Sequence, residues 1–177
     1  MIQNNNIPEE DNNMTMGYIA VNHAEEIRPE LEEKALETIM SVVEVFEEQC
    51  VAVQQCIDPV LPTAIVKTEF TIASDKMVYK TKIHKLLGGF RFEADVPFRP
   101  NQSSFDIGGQ VIAKFIEAEA NRRLEHVVSG VHVTVSYSNQ DLHIKINLAD
   151  RVHHIAQGIN GAREEDIIKN ILYVATN

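Results

Sequence analysis

The chain has 177 residues, of which 44% are hydrophobic and 24% are charged, and this composition excludes a disordered or fibrous protein. No apolar run approaches membrane-spanning length, and the first residues lack the pattern of a signal peptide, so we expect a cytoplasmic protein without membrane attachment. The net charge of −10 lies in residues 1–58, which hold thirteen acids and two bases, whereas residues 59–177 are close to neutral. This segregation lets the second part present a basic face to an anionic partner.

Three regions are predicted from composition and periodicity. Residues 1–14 are rich in Asn, Asp and Glu and lack periodicity, which predicts a disordered tail. Residues 15–62 form an N-terminal segment with a long acidic amphipathic helix, preceded by a short strand over residues 18–21. Residues 63–177 form the body, in which strands alternate with helices.

The long helix is predicted to begin near Pro29 and to end near Ile57, because proline favours the first turn and Asp58-Pro59 stops the helix. Its apolar positions follow an eleven-residue repeat, which gives a nearly straight stripe, while Val43 and Val45 lie beside it. One interpretation is a core helix with a solvated glutamate side, and the other is a helix that pairs with a second copy. The stripe extends about 40 Å, longer than a small sheet needs. We therefore expect a homo-oligomer whose candidate interface residues are Leu31, Ile39, Val42, Phe46 and Val53.

Residues 64–98 predict a three-stranded antiparallel meander with turns at Asp75-Lys76 and Gly88-Gly89. With these turns, Ile72 faces Tyr79 and Ile83 faces Ala94. Alternation then places apolar residues on one face and charged residues on the other.

The charged face of the meander carries the clearest functional signal. Between residues 64 and 93, six bases outnumber three acids, which favours a surface that follows the phosphates of a nucleic acid. The alternative is a solvated face with cross-strand ion pairs, since Glu69, Glu93 and Asp95 are interleaved with the bases. The candidate nucleic-acid-binding residues are Lys67, Lys76, Lys80, Lys82, His84, Lys85 and Arg91.

The second half of the body repeats the pattern of helix and strands. Ser103 or Ser104 is expected to cap a helix that runs to about Val128, and Asp106, three residues after Ser103, fits a capping box. The Gly108-Gly109 pair in its first turn favours close backbone packing over phosphate binding. A hairpin follows over 131–148 with its turn at Asn139-Gln140, then a short helix after residue 150 and a final helix from about residue 163.

Motifs of known catalytic chemistry are absent from the sequence. There is no P-loop, no dinucleotide-binding glycine pattern, no nucleophile elbow, and no histidine or cysteine with metal-ligand spacing. We therefore expect a non-enzymatic protein without a metal or cofactor.

The order of sheet then helix, repeated over residues 64–174, resembles the PUR-type and whirly-type single-stranded nucleic-acid-binding domains in topology. Those families have four strands per sheet where three and two are predicted here, and their lysine-glycine-lysine motif has no match. The resemblance implies binding of single-stranded nucleic acid across a sheet.

The predicted fold class is α+β, an antiparallel meander and a hairpin covered by amphipathic helices after a long N-terminal helix. The predicted function is non-enzymatic binding of single-stranded RNA or DNA, with RNA favoured. The alternative is a structural or assembly adaptor that acts through homo-oligomerisation or a protein partner.

Overall fold

The computed structural model describes residues 9–177, with side chains from Pro29 onward except that of Ala73. It confirms the α+β class. The elements, in order, are α1 (Glu9–Ile57), β1 (Ala64–Ala73), β2 (Lys76–Lys85), β3 (Arg91–Pro97), α2 (Ser104–Glu125), β4 (His132–Ser138), β5 (Asp141–Asn147), β6 (Val152–Gly158) and α3 (Glu164–Thr176). The chain divides into two compact units, Met1–Val45 and Phe46–Asn177, and α1 contributes to both.

Helix α1 is longer than its sequence predicts. It begins at Glu9, so Pro29 lies inside the helix and the expected strand over 18–21 is wrong. A four-residue apolar run fits either a strand or a helix. The surrounding Glu, Met and Ala residues have high helix propensity, and their combined preference outweighs the cost of one proline inside the helix. Of the predicted tail, residues 9–14 are helical and residues 1–8 lie outside the described part of the chain.

Strands β1, β2 and β3 form the first sheet, in that order. The first turn is Ser74-Asp75, with φ of 49° and 64°, and not the predicted Asp75-Lys76. Phe70 is therefore opposite Tyr79, and Ile72 is opposite Met77 instead of Tyr79. Each residue of β1 is thus paired with a residue of β2 two positions from the predicted one. Because side chains alternate between faces with a period of two, every side chain keeps its predicted face.

The second connection of this sheet is also displaced from its prediction. Ile83 is opposite Phe92, again two residues from the predicted partner Ala94. The connection is a longer loop in which Gly88 and Gly89 both have positive φ, and Leu87 lies in that loop with 75% of its surface exposed.

Strands β4, β5 and β6 form the second sheet. The predicted hairpin is confirmed in its register, with Val135 opposite Ile144 and a turn at Asn139-Gln140. The short helix expected after residue 150 is wrong, because Val152–Gly158 is a third strand. Ile155 pairs with Ile144 and is half-buried, whereas its neighbours His154 and Ala156 are exposed. Burial therefore alternates with the two-residue period of a strand.

Helix α2 is buried along most of its length, and its glycines permit this. A Cβ on Gly109 would lie 2.4 Å from Cζ of Tyr137, and one on Gly108 would lie 3.0 Å from Cβ of Cys56. Close packing at both glycines is thus confirmed. The predicted cap is confirmed too, since the Ser103 hydroxyl accepts a hydrogen bond from the Asp106 amide at 3.1 Å.

Both sheets turn one face to a shared hydrophobic core in the unit Phe46–Asn177. Besides strand residues, the core contains the buried sides of α2 and α3 and the end of α1, where Cys50, Val53 and Ile57 are buried. Helix α3 begins at Glu164, which confirms the prediction of a final helix from about residue 163. Over residues 9–177, none of the helices has the length and apolarity needed to cross a bilayer.

Candidate functional site

Six of the seven candidate nucleic-acid-binding residues share the solvent-facing side of the first sheet. Strand pairing aligns them in rows, with Lys67 opposite Lys82, Lys80 opposite Glu69, and His84 opposite Arg91. Lys76 lies at the end of the same side, next to the turn. The predicted alternation therefore brings most of the set together.

Acidic residues on the same side neutralise much of this charge. Lys67 Nζ lies 2.7 Å from Glu69 Oε1, and Lys80 Nζ lies 3.2 Å from Glu93 Oε1. The hydrogen bond from Lys67 lowers the pKa of Glu69, and the one to Glu93 raises the pKa of Lys80. Two lysines thus hold intramolecular partners, so a phosphate would have to compete with carboxylates already in place.

Lys85 is not available to a ligand at this face. It lies on the opposite side of β2 with only 4% of its surface exposed. Its Nζ lies 2.8 Å from Glu164 Oε1, 2.7 Å from Glu165 Oε1 and 3.7 Å from Glu119 Oε1. Lys85 therefore connects the end of β2 to α2 and α3, a structural role.

The buried ion cluster is completed by two arginines of α2. Arg122 Nε and Arg123 Nε each donate to a carboxylate oxygen of Glu119 at 2.9 Å, so three bases balance three acids. Burial by itself would lower the pKa of Lys85, but hydrogen bonds to Glu164 and Glu165 outweigh it and the pKa is raised. Burial is the largest effect on the pKa of Glu164 and raises it, the nearby carboxylates of Glu165 and Glu119 raise it further, and together they outweigh the lowering by Lys85.

A run of exposed apolar side chains lies on α1. Between residues 31 and 45, seven large apolar side chains each keep 46–60% of their surface exposed. We call this set the α1 stripe: Leu31, Leu36, Ile39, Met40, Val42, Val43 and Val45. Sequence periodicity identified three of its members as interface candidates, namely Leu31, Ile39 and Val42.

The α1 stripe occupies a continuous sector of the helix. At 100° per residue, its members span about 220° of the circumference, from Val45 to Met40, and Ala35, Thr38 and Glu32 also lie inside the sector. The remaining sector carries Glu33, Glu37 and Glu44 together with Lys34 and Ser41. A helix that is apolar over half its circumference is typical of one that packs against another surface.

Two other interface candidates belong to the core. Val53 has no exposed surface, and the ring of Phe46 stacks on Phe70 with centroids 3.9 Å apart and also contacts Phe98. The predicted stripe is thus divided along the helix: its second half packs within the unit Phe46–Asn177, and its first half is exposed.

Among the side chains that the structure describes, which begin at Pro29, no group of three or more His, Cys, Asp or Glu is placed to hold a metal ion. No protein-family model, curated protein or solved structure matches the chain. The resemblance to the PUR-type and whirly-type domains therefore stays a prediction, and the function has to be argued from the surfaces themselves.

Proposed function

We propose that this protein is a structural or assembly protein that acts by self-association through the α1 stripe. The observation that carries the proposal is the exposure of seven large apolar side chains on one side of a single helix. A second copy brings the same surface, so a pair of helices would bury the facing part of both stripes.

The free energy available from burying this apolar surface is comparable to the cost of association, which supports the proposal. Full burial of such a side chain contributes about 1.5–3 kcal/mol, so burying the exposed half contributes roughly 1 kcal/mol. If every residue of both stripes were covered, two copies would gain at most on the order of 14 kcal/mol, against an association cost of about 4–15 kcal/mol. A partner without an apolar surface would contribute half as much.

The charges favour an antiparallel pair. Lys34 is the only base between residues 29 and 45, whereas five glutamates lie in that range. A parallel pair would bring each glutamate beside its own copy. An antiparallel pair with Ile39 near the two-fold axis brings Lys34 near Glu44 of the second copy, and two-fold symmetry is the usual solution for a homodimer.

Size-exclusion chromatography with light scattering tests the proposal with two matched variants. Ile39→Asp places a charge in the centre of the stripe and should give a monomer, because a buried unpaired carboxylate is strongly unfavourable. Ser41→Asp adds the same charge in the polar sector and should leave the oligomer intact. An unchanged mass for Ile39→Asp would exclude the α1 stripe as the interface.

Nucleic-acid binding across the first sheet stays a prediction with less support. The ion pairs of Lys67 and Lys80 with Glu69 and Glu93 neutralise two of the five Lys and Arg side chains on that face.

A further inference from the structure

The outer face of the second sheet carries an unusual combination of side chains. We call it the imidazole face, and its central rows are Ser136–His143–Ala156 and Thr134–Lys145–His154, followed by His132–Asn147–Val152. Side chains directly opposite each other on neighbouring strands have Cβ atoms about 5 Å apart, and successive rows are about 7 Å apart. His143, Lys145 and His154 therefore fall within the span of one small ligand.

A hollow lies over these rows. Its volume is about 530 Å³, and its lining includes Thr134, Ser136, His143, Lys145, His154 and Ala156. The small side chain of Ala156, beside His143 and one row from Lys145, leaves the space that a longer side chain would fill. The hollow is an open depression on the sheet face, so a ligand bound there would keep part of its surface in solvent.

The charges on this face differ from those of the first sheet. Asp141 is the one carboxylate among the outward-facing positions of β4, β5 and β6, and it lies at the end of the face, two rows from Lys145. That separation of roughly 14 Å exceeds the screening length of about 8 Å at physiological salt. The positive charge of Lys145 is thus not neutralised locally, unlike that of Lys67 or Lys80.

The polar groups of the hollow are also not engaged within the chain. In the part of the chain that the structure describes, the side chains of His143, Lys145 and His154 form no hydrogen bond or ion pair, and all three are exposed. An ammonium group, imidazole rings and two hydroxyls thus point to solvent around one hollow.

We propose that the imidazole face binds a nucleotide unit, with its phosphate at Lys145 and His154 and its base against the ring of His143 above Ala156. An ammonium group binds phosphate as a point charge, and hydroxyls such as Thr134 supplement it with hydrogen bonds. Imidazole rings stack with nucleobases, and each stacked base strengthens binding substantially. The same chemistry serves a free mononucleotide or one unit of a single strand.

This site is independent of the proposed self-association. Its residues belong to β4, β5 and β6, whereas the α1 stripe lies between residues 31 and 45. The Ile39→Asp variant should therefore bind the nucleotide unit as the parent does, and failure of one proposal leaves the other standing.

Fluorescence anisotropy with a labelled, mixed-sequence single-stranded RNA tests the proposal. Two double variants are compared, Lys145→Gln with His154→Gln on the imidazole face, and Lys80→Gln with Lys82→Gln on the first sheet. All four positions face solvent, so both variants should fold, which circular dichroism can verify. We expect the first variant to bind about tenfold more weakly or worse with a smaller salt slope, and the second to change affinity by less than about twofold.

A third variant separates stacking from charge. His143→Ala should weaken binding at least about fivefold while leaving the salt slope unchanged. Competition with adenosine monophosphate distinguishes a free nucleotide from a nucleic-acid strand as the ligand. If adenosine monophosphate displaces the RNA, the site accepts any nucleotide. If it does not, the site requires a strand. The proposal is overturned if the parent binds neither probe, or if the first-sheet variant loses as much affinity as the imidazole-face variant.

Discussion

Replacing Lys85 with methionine removes the one ammonium group around which three carboxylates converge. Glu164 and Glu119 have only 2% and 1% of their surface exposed, so they cannot recover hydration when Lys85 is lost. Removing one partner of a buried ion pair costs about 3–5 kcal/mol, because the other charge stays buried. Arg122 and Arg123 still compensate Glu119, so the uncompensated charge is mainly that of Glu164.

Thermal and urea unfolding, followed by circular dichroism, measures this cost. At roughly 2–4 °C per kcal/mol for a chain of this size, the melting temperature of Lys85→Met should fall by on the order of 10 °C. Lys80→Met removes an exposed lysine of the same strand and should leave it essentially unchanged. Adding Glu164→Leu to Lys85→Met should restore much of the loss, because an apolar pair replaces the orphaned carboxylate. An unchanged melting temperature for Lys85→Met would refute the reasoning.

Three further predictions concern pH and packing. The pKa of Lys85 is raised in the folded protein, so its ion pairs stabilise the fold fully below the ordinary lysine pKa of 10.5. This stabilisation is lost as the pH rises through the higher folded-state pKa. The difference in melting temperature between the parent and Lys85→Met should therefore narrow in strong alkali. A constant gap would contradict this. Gly109→Ala should destabilise by about 1–3 kcal/mol in urea unfolding, because its Cβ would overlap the ring of Tyr137. That cost should largely vanish in a Tyr137→Ala background. Ser103→Ala should cost about 1 kcal/mol in the same assay, through loss of the α2 cap on the Asp106 amide, and no loss would show that the cap contributes nothing.

The faces of both sheets were predictable because alternation has a period of two. In the first sheet the register was displaced at both turns, yet Phe70 and Lys80 kept their predicted sides. The exact turn was not predictable from the sequence, since Ser74 and Lys76 were equally available beside Asp75. In the second sheet, Asn139-Gln140 had no competing turn nearby, and the register was correct.

The sequence could not predict which residues distant along the chain would become ion-pair partners. Lys85 counted as one base among six until α3 placed Glu164 and Glu165 beside it, almost 80 residues away along the chain. Its position on the apolar side of β2 was a usable signal, because a lysine there needs buried partners. Strand β6 was missed because its two adjacent histidines and two nearby glycines gave no clear period.

The α1 stripe shows a similar limit of periodicity. The eleven-residue repeat correctly placed Leu31, Ile39 and Val42 on one side of a helix. It could not indicate where along the helix burial ends, because Phe46 and Val53 continue the same repeat into the core. The buried part is defined by the contacts of Phe46 and Val53 within the unit Phe46–Asn177.

Sedimentation equilibrium of the parent protein across micromolar concentrations tests the central claim most directly. Self-association through the α1 stripe predicts a mass of twice the chain mass of 19.9 kDa or a higher even multiple, which decreases on dilution and reverts to one chain in Ile39→Asp. A mass of one chain for the parent at tens of micromolar would contradict the account.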